Sequence, residues 1–392
     1  MTLKKAALTS CAVLLVSVAV PLCVLMLGQR AESIASGQDN TLAGGAAFRS
    51  YSFVMPQTES PSPQLPGTAK RTPLAGRLAS FPTGGLNMLD IFTAQSEKES
   101  HIGAEIPTPL PSEEVLSALP YDNDSTAQDG IITRYTFTDG DSEQFFTLKN
   151  GSQVRNCTDY DNGFLYDKSL MGADFSLKCD GDKPLVLIYH THATESFEQT
   201  ERDSYDRNFS CKTTERELSI ISVGDEICKA LTENGVSVLH DTLVHDYPSY
   251  DAAYGSSRAT VSELLEKYPS IKIVLDIHRD GIERESGERL APCFEAGDKT
   301  AAQIMIIACA GDGELDVPDH ISNFRFACAL QEQIELDYPD MCRPMLFDYR
   351  FYNQDLSHGC LLIEVGSQAN SIDEVRLTGR LLGEEIAKLT EK

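Results

Sequence analysis

Apolar and polar positions give the 392-residue chain three successive textures. Residues 6–28 are uncharged and mostly apolar, behind Lys4 and Lys5 and ahead of Gln29 and Arg30. A helix needs about 20 such residues to cross the ~30 Å hydrocarbon core, whereas the apolar region of a cleaved secretory signal is usually about 7–15 residues. The pattern predicts a transmembrane anchor within residues 1–30. Lysines before the span and few basic residues just after it predict a cytoplasmic N-terminus and an extracytoplasmic remainder. Over residues 31–130 periodicity is poor and Pro, Ser, Thr, Gly and Gln are frequent. Such a segment cannot bury enough apolar surface to offset its ordering entropy, so a disordered, flexible stalk is expected. One short helix at 112–119 is the exception, with Ser112 as cap and Glu113 and Glu114 in the first turn.

Beyond the stalk, residues 131–137 and 144–148 alternate like strands around an Asp139-Gly140-Asp141 turn, predicting a small β subdomain over 131–180. After Pro184 short apolar runs alternate with helical periods. Strands are predicted at 185–189, 236–239, 271–277, 304–310 and 360–365. Helices are predicted at 218–234, closed by Gly235, and at 261–267, 323–336 and 372–388. This alternation predicts an α/β domain over 181–392: a mostly parallel sheet with helices on both faces. In such sheets ligands bind beyond the carboxyl ends of the strands.

Metal-ligand residue types fall at those ends. His190-Thr191-His192-Ala193-Thr194-Glu195 follows one strand, Asp276-Ile277-His278-Arg279-Asp280 ends another, and Glu364 stands late in the last. His192, Glu195 and His278 make a two-His, one-Glu set, which leaves a position open for water on a catalytic zinc ion. Glu364 is the candidate base for that water. Alternatives remain at two positions. His190 shares its side of the strand with His192 and could be the ligand or line the cleft. Glu215 or Glu217, at the start of the next helix, could replace Glu195. Asp276 is expected as buried support for His278. Arg279 is a candidate for a substrate carboxylate or for a salt bridge with Asp280, and Tyr352-Asn353-Gln354-Asp355 could line the cleft or form a turn. His240 and His245 are expected at the surface.

The formal charge of −26 argues against nucleic acid, whose phosphates demand a basic face. Nine cysteines follow the anchor (two lie within it) with no C-x-x-C among them, which argues against a cysteine-rich zinc site. An odd number cannot pair fully. Cys157–Cys179 is a possible disulfide, and Cys228, Cys309, Cys328 and Cys360 sit in apolar surroundings as buried thiols.

Together, residues 188–197, 276–280, 352–356 and 362–366 resemble the stage II sporulation protein P family of endospore-forming bacteria, over roughly Gln144 to the C-terminus. The anchor and stalk fit that family's layout. The resemblance implies similarity to zinc-dependent N-acetylmuramoyl-L-alanine amidases, with Glu364 at the position of the catalytic glutamate. It implies cleavage between muramic acid and the stem peptide, with cross-link endopeptidase activity as well. It also implies action from the mother-cell membrane during forespore engulfment, beside stage II sporulation proteins D and M. In those amidases the metal-binding Glu opens the first helix, which would point to Glu215 or Glu217. Residues 304–320 turn acidic after an apolar start and do not match the pattern. A zinc carboxypeptidase would use a similar ligand set plus an arginine for the terminal carboxylate, and a non-catalytic wall-binding scaffold would need none of these residues.

Overall fold

A computed structural model describes residues 104–105, 119–311 and 317–390. The predicted anchor, most of the stalk and the helix at 112–119 except its last residue lie outside the described residues. Among the described residues no helix is long and apolar enough to cross a membrane.

In chain order the elements are β1 (Ala104–Glu105), β2 (Gly130–Tyr135), β3 (Phe145–Thr147), β4 (Gln153–Asn156), α1 (Asn162–Ser169), β5 (Val186–Tyr189), β6 (Ser204–Tyr205), α2 (Ile221–Glu233), β7 (Val238–His240), α3 (Ala253–Lys267), β8 (Ile273–Asp280), β9 (Arg289–Ala296), β10 (Lys299–Ala302), β11 (Ile304–Cys309), α4 (His320–Asp337), β12 (Met345–Asp348), β13 (Cys360–Ser367) and α5 (Ile372–Leu389). The larger sheet has the order β1-β7-β5-β8-β13-β11-β12-β4-β3, and a smaller one the order β10-β9-β2-β6. In the larger sheet pairing is antiparallel only between β11 and β13 and between β3 and β4; the other pairs are parallel.

The central strands are apolar on both sides because both sides are covered. On β8, Ile273, Leu275 and Ile277 enter the larger core with Val223 and Ile227 of α2, Phe324 and Leu330 of α4, and Val375 and Leu382 of α5. Val274 instead joins Val261 and Leu264 of α3 in a smaller core. Side chains alternate along a strand, so Asp276 and His278 fall on the α3 side. On β13, Leu361, Ile363 and Val365 belong to the larger core, which turns Glu364 to that same α3 side. Two polar residues on one strand and one on its neighbour thus interrupt an otherwise apolar sheet face.

Three expectations are corrected. The strands of the predicted β subdomain do not form a unit of their own. β2 pairs with β9 and β6 in the smaller sheet, while β3 and β4 extend the larger sheet beside β12. Short strands with one apolar face reach stability by adding to an existing sheet. The stalk also ends earlier than residue 130. The Leu119 carbonyl accepts from Thr214 N at 2.9 Å, and Tyr121 Oη donates to the Phe197 carbonyl at 2.8 Å. Lastly, Cys157 and Cys179 are both thiols rather than a disulfide. Cys309, Cys328 and Cys360 are buried, and Cys228 packs half-buried against the larger core. The β9–β10 hairpin and β12 have no counterpart among the predicted strands.

α5 starts at a capping box in which Ser371 and Glu374 satisfy each other's backbone N–H. It packs on α2 through glycines: a Cβ on Gly379 would lie 2.7 Å from the Val223 carbonyl oxygen, and one on Gly383 2.6 Å from that of Ile227. Both obstacles are backbone, which cannot rotate away. Gly379→Ala is therefore expected to cost about 1–3 kcal/mol by forcing the helices apart, measured as a lower denaturation midpoint in urea. An unchanged midpoint would show that the α2–α5 contact is not the constraint described.

Candidate active site

The parallel pairing of β8 with β13 sets Glu364 opposite His278. Directly afterwards the register shifts between Glu364 and Ser367. Gly366 adopts φ 63° there, and a Cβ on it would meet Asn370 Oδ1 at 2.7 Å. An irregularity of this kind bends the strand and re-aims the residues beside it.

The third contribution comes from the loop after β5. Thr191 donates to Asp276 twice, from its backbone N at 2.8 Å and from Oγ1 at 2.6 Å. A tight turn, Glu195 N to the His192 carbonyl at 3.1 Å, then brings Glu195 back over the end of β8. There its Oε2 accepts from Arg279 N at 3.0 Å. As a result Glu195 Oε1 lies 3.9 Å from His192 Nδ1, and Oε2 lies 3.6 Å from His278 Nδ1. One donor atom from each of the three residues falls within 4.8 Å of the others. Tetrahedral zinc with N and O ligands at about 2.0–2.2 Å would separate them by about 3.4 Å, so the donor set fits such an ion after small side-chain shifts.

Each group's charge follows from its surroundings. Burial, reinforced by the positive charge of His278, pushes His192 down to about 3, leaving a neutral imidazole fit for metal. Burial also opposes charge on His278, but Asp276, Glu195 and Glu364 outweigh it and raise it to about 10. Its Nε2 lies 2.9 Å from Asp276 Oδ1, so Nδ1 faces Glu195. Glu195 is pushed up by burial against the pull of His278 and Arg279. Glu364 is pushed up to about 8, first by burial and then by Asp280, while His278 draws it back. Its buried Oε2 has no hydrogen-bond partner among the described residues.

The flank of the site is aromatic. Tyr250 stacks on the His192 ring at 4.5 Å and Tyr254 meets it edge-on at 5.6 Å; Tyr254 in turn stacks on Tyr352. Asp246 holds the loop by accepting from Thr194 N at 3.1 Å and Oγ1 at 2.5 Å. Asp246, Tyr250 and Tyr254 lie in or just after a loop that follows β7, and nothing in their spacing marks them. Only the aromatic density around 247–254 offered a signal.

Several expected roles are corrected. Glu215 and Glu217 are exposed and engaged elsewhere: Glu215 Oε1 accepts from Tyr121 N, and Glu217 pairs with Arg376 at 3.0 Å. His190 does not line the cleft. It is fully buried against α2, its Nδ1 2.9 Å from the Ile277 carbonyl and its Nε2 2.9 Å from His240 Nε2. A Cβ on Gly224 would come within 2.6 Å of both Nε2 atoms. His240 and His245 are therefore buried rather than at the surface, each with a carboxylate partner, Asp225 and Asp241 respectively. Arg279 binds no carboxylate, because its guanidinium donates to the carbonyls of Ser196, Cys211 and Asp280. Asp280 pairs instead with Arg343 at 2.8 Å. Asn353, expected to contact substrate, is buried in a turn with φ 55° and donates to Ser257 Oγ and the Tyr254 carbonyl.

Comparison with known proteins places this geometry in context. Residues 93–387 match the family model described as Stage II sporulation protein P. The curated Stage II sporulation protein P of Bacillus subtilis (strain 168) is 25% identical over 207 residues, 50% of this chain and 48% of that protein. The match thus spans about half the length of that relative. Among solved structures, N-acetylmuramoyl-L-alanine amidase AmiC2 of Nostoc punctiforme is similar with a TM-score of 0.31 and 13% identity, over 53% of this chain and 96% of that one. The CwlD amidase from Clostridioides difficile, in complex with the GerS lipoprotein, gives 0.30 and 14%, over 52% and 93%.

With its ordinary value raised to about 10, His278 carries a proton at pH 7 in the metal-free protein, and a metal taking Nδ1 must displace it. Zinc uptake is therefore expected to release close to one proton from His278 and to weaken as pH falls, as calorimetry in buffers of differing ionisation enthalpy would register. Glu195→Ala is expected to abolish uptake, while Glu215→Ala and Glu217→Ala retain it. Uptake without proton release, or its loss in the Glu215 or Glu217 variant, would contradict this ligand set.

Proposed function

Since the chain belongs to the stage II sporulation protein P family, we propose that it is a membrane-anchored, zinc-dependent peptidoglycan hydrolase. Its proposed reaction is cleavage of the amide between N-acetylmuramic acid and the L-alanine of the stem peptide. The observation that carries this reading is Glu364, a half-buried carboxylate with one buried oxygen that has no hydrogen-bond partner among the described residues, in register with His278 on the neighbouring strand. A scaffold gains nothing from that arrangement, since burying a carboxylate without a partner is costly.

His192, Glu195 and His278 would hold zinc, which when bound supplies Lewis-acid polarisation of the scissile carbonyl and lowers the pKa of water toward ~7. Glu364 takes the proton of the attacking water and returns it to the departing amine. Burial and the Asp280 charge hold its pKa above the ordinary carboxylate range, which favours return of that proton to the amine. Asp276 faces His278 Nε2, Thr191 donates twice to Asp276, and Ser257 Oγ bonds Thr191 Oγ1. The aromatic wall of Tyr250, Tyr254 and Tyr352 offers flat faces to a sugar ring. The carboxypeptidase reading loses its arginine, because Arg279 is committed to three carbonyls.

The resemblance extends the proposal to setting. An anchor at residues 6–28 would hold the protein in the mother-cell membrane, with its catalytic part extracytoplasmic and facing the forespore. It would act in engulfment beside stage II sporulation proteins D and M, with cross-link endopeptidase activity in addition.

Digestion of intact peptidoglycan by the detergent-solubilised full chain is expected to release stem peptides with free L-alanine amino termini, and to stop on addition of chelator. Release of single C-terminal amino acids instead would favour the carboxypeptidase. Glu364→Gln is expected to retain zinc while losing about 10²–10⁴-fold in rate; an active variant would remove Glu364 from its role.

A further inference from the structure

We infer that Lys212 selects an anionic peptide by receiving a carboxylate of the stem peptide next to the cleaved amide. The inference rests on the peptidoglycan reading and deepens it by naming the residue that reads the charge of the substrate.

The segment 211–213 runs antiparallel to 194–196: Ser196 N donates to the Cys211 carbonyl at 3.1 Å and Thr213 N to the Thr194 carbonyl at 2.8 Å. Lys212 is the residue opposite Glu195 in this bridge. Residues directly opposite on paired strands project to the same side, so the lysine leaves the backbone toward the metal-ligand cluster. Its ammonium does not fold onto Glu195. It lies 3.9 Å from the centroid of the Tyr250 ring, the ring that stacks on His192 at 4.5 Å. Two ring contacts, of 3.9 Å and 4.5 Å, separate the charge from a candidate metal ligand, a span that two or three residues of extended peptide cover at about 3.4 Å each.

The other cations of the site are already committed. Arg279 is bound to three carbonyls and Arg343 to Asp280. Lys212, half-buried, makes no ion pair among the described residues. Glu195 stands opposite it and Asp246 lies within reach of its charge, in a chain of formal charge −26. Such a field repels an anionic substrate unless a positive group marks where the negative one belongs. A stem peptide brings that negative group, because its second residue is a glutamate joined through its side chain, with the α-carboxylate left free. The Tyr250 face holds the ammonium in place by cation–π attraction while leaving its donors available.

The test measures binding, so that turnover is not required. Two N-acetylmuramoyl tripeptides are compared, identical and amidated at the C-terminus, one with the free α-carboxylate on its second residue and one with a carboxamide there. Affinities are measured by calorimetry on the full-length Glu364→Gln protein with one equivalent of zinc, alone and combined with Lys212→Met or Lys212→Arg. The carboxylate peptide is expected to bind about tenfold more tightly than the carboxamide, as for a partly exposed charge-assisted hydrogen bond. That preference is expected to shrink with added salt, to vanish in Lys212→Met through weaker binding of the carboxylate peptide alone, and to persist in Lys212→Arg. Equal weakening of both peptides in Lys212→Met would show that the lysine only shapes Tyr250 and would overturn the inference. Binding of both peptides without preference would overturn it while leaving the peptidoglycan reading intact. Failure of both peptides to bind would overturn both.

Discussion

The buried carboxylate of Asp276 is the constraint on which the rest of the site depends. Taking a carboxylate out of water costs several kcal/mol unless it is paired and hydrogen-bonded. Burial accordingly pushes its pKa up, but His278 and the two Thr191 hydrogen bonds more than offset that and hold it below the ordinary carboxylate range. The Thr191 bonds tie the loop after β5 to the end of β8, and the 2.9 Å ion pair of Asp276 with His278 Nε2 leaves Nδ1 facing Glu195. Removing the carboxylate would leave the buried imidazolium without its 2.9 Å partner and the His192–Glu195 turn without its anchor. A chain of polar groups, from Asn353 through Ser257 and Thr191, extends this support across the α3 side of the sheet.

The division of the sheet into two faces then determines what can be a ligand. On the α2–α5 face the side chains are apolar and close-packed, and glycines let backbone approach backbone. His190 is caught there, bonded to His240 and the Ile277 carbonyl under Gly224. On the α3 face the apolar cluster is smaller, and Tyr250 from the loop after β7 stacks on His192. His190 and His192 share a parity in the sequence, but the chain has left the strand by residue 190, and from there hydrogen bonding rather than alternation decides direction.

How far the sequence could be read differs from residue to residue. Apolar runs ending in Tyr189, Asp276-Ile277-His278 and Glu364 are visible as strings because a strand buried on both sides tolerates few polar residues. A His or Glu at its end therefore stands out. The same logic fails for Arg279 and Asn353. A long guanidinium and a turn amide satisfy themselves on whichever carbonyls fold nearby, and adjacency to a ligand carries no information about that. It fails also for Glu215 and Glu217, whose place at a helix opening was suggestive until the 3-10 turn at Arg216–Leu218 left both exposed. Lys212, Asp246 and Tyr250 come from irregular segments with no period to read.

By itself the sequence determined the alternation of strands and helices over residues 185–388 and the residue types available at the strand ends. Both are properties of local texture: burial requires apolar runs, and polar interruptions within them need a reason. Tertiary structure alone decided that the strands around 131–148 belong to two larger sheets, that Cys157 and Cys179 stay apart, and which of the nearby histidines and glutamates meet. These depend on pairing across long sequence separations, 157 positions between β2 and β9 (Ile132 with Arg289) and 191 between β4 and β12 (Val154 with Met345). The free energy of such contacts lies in the partner, and the partner is not encoded beside the residue that needs it.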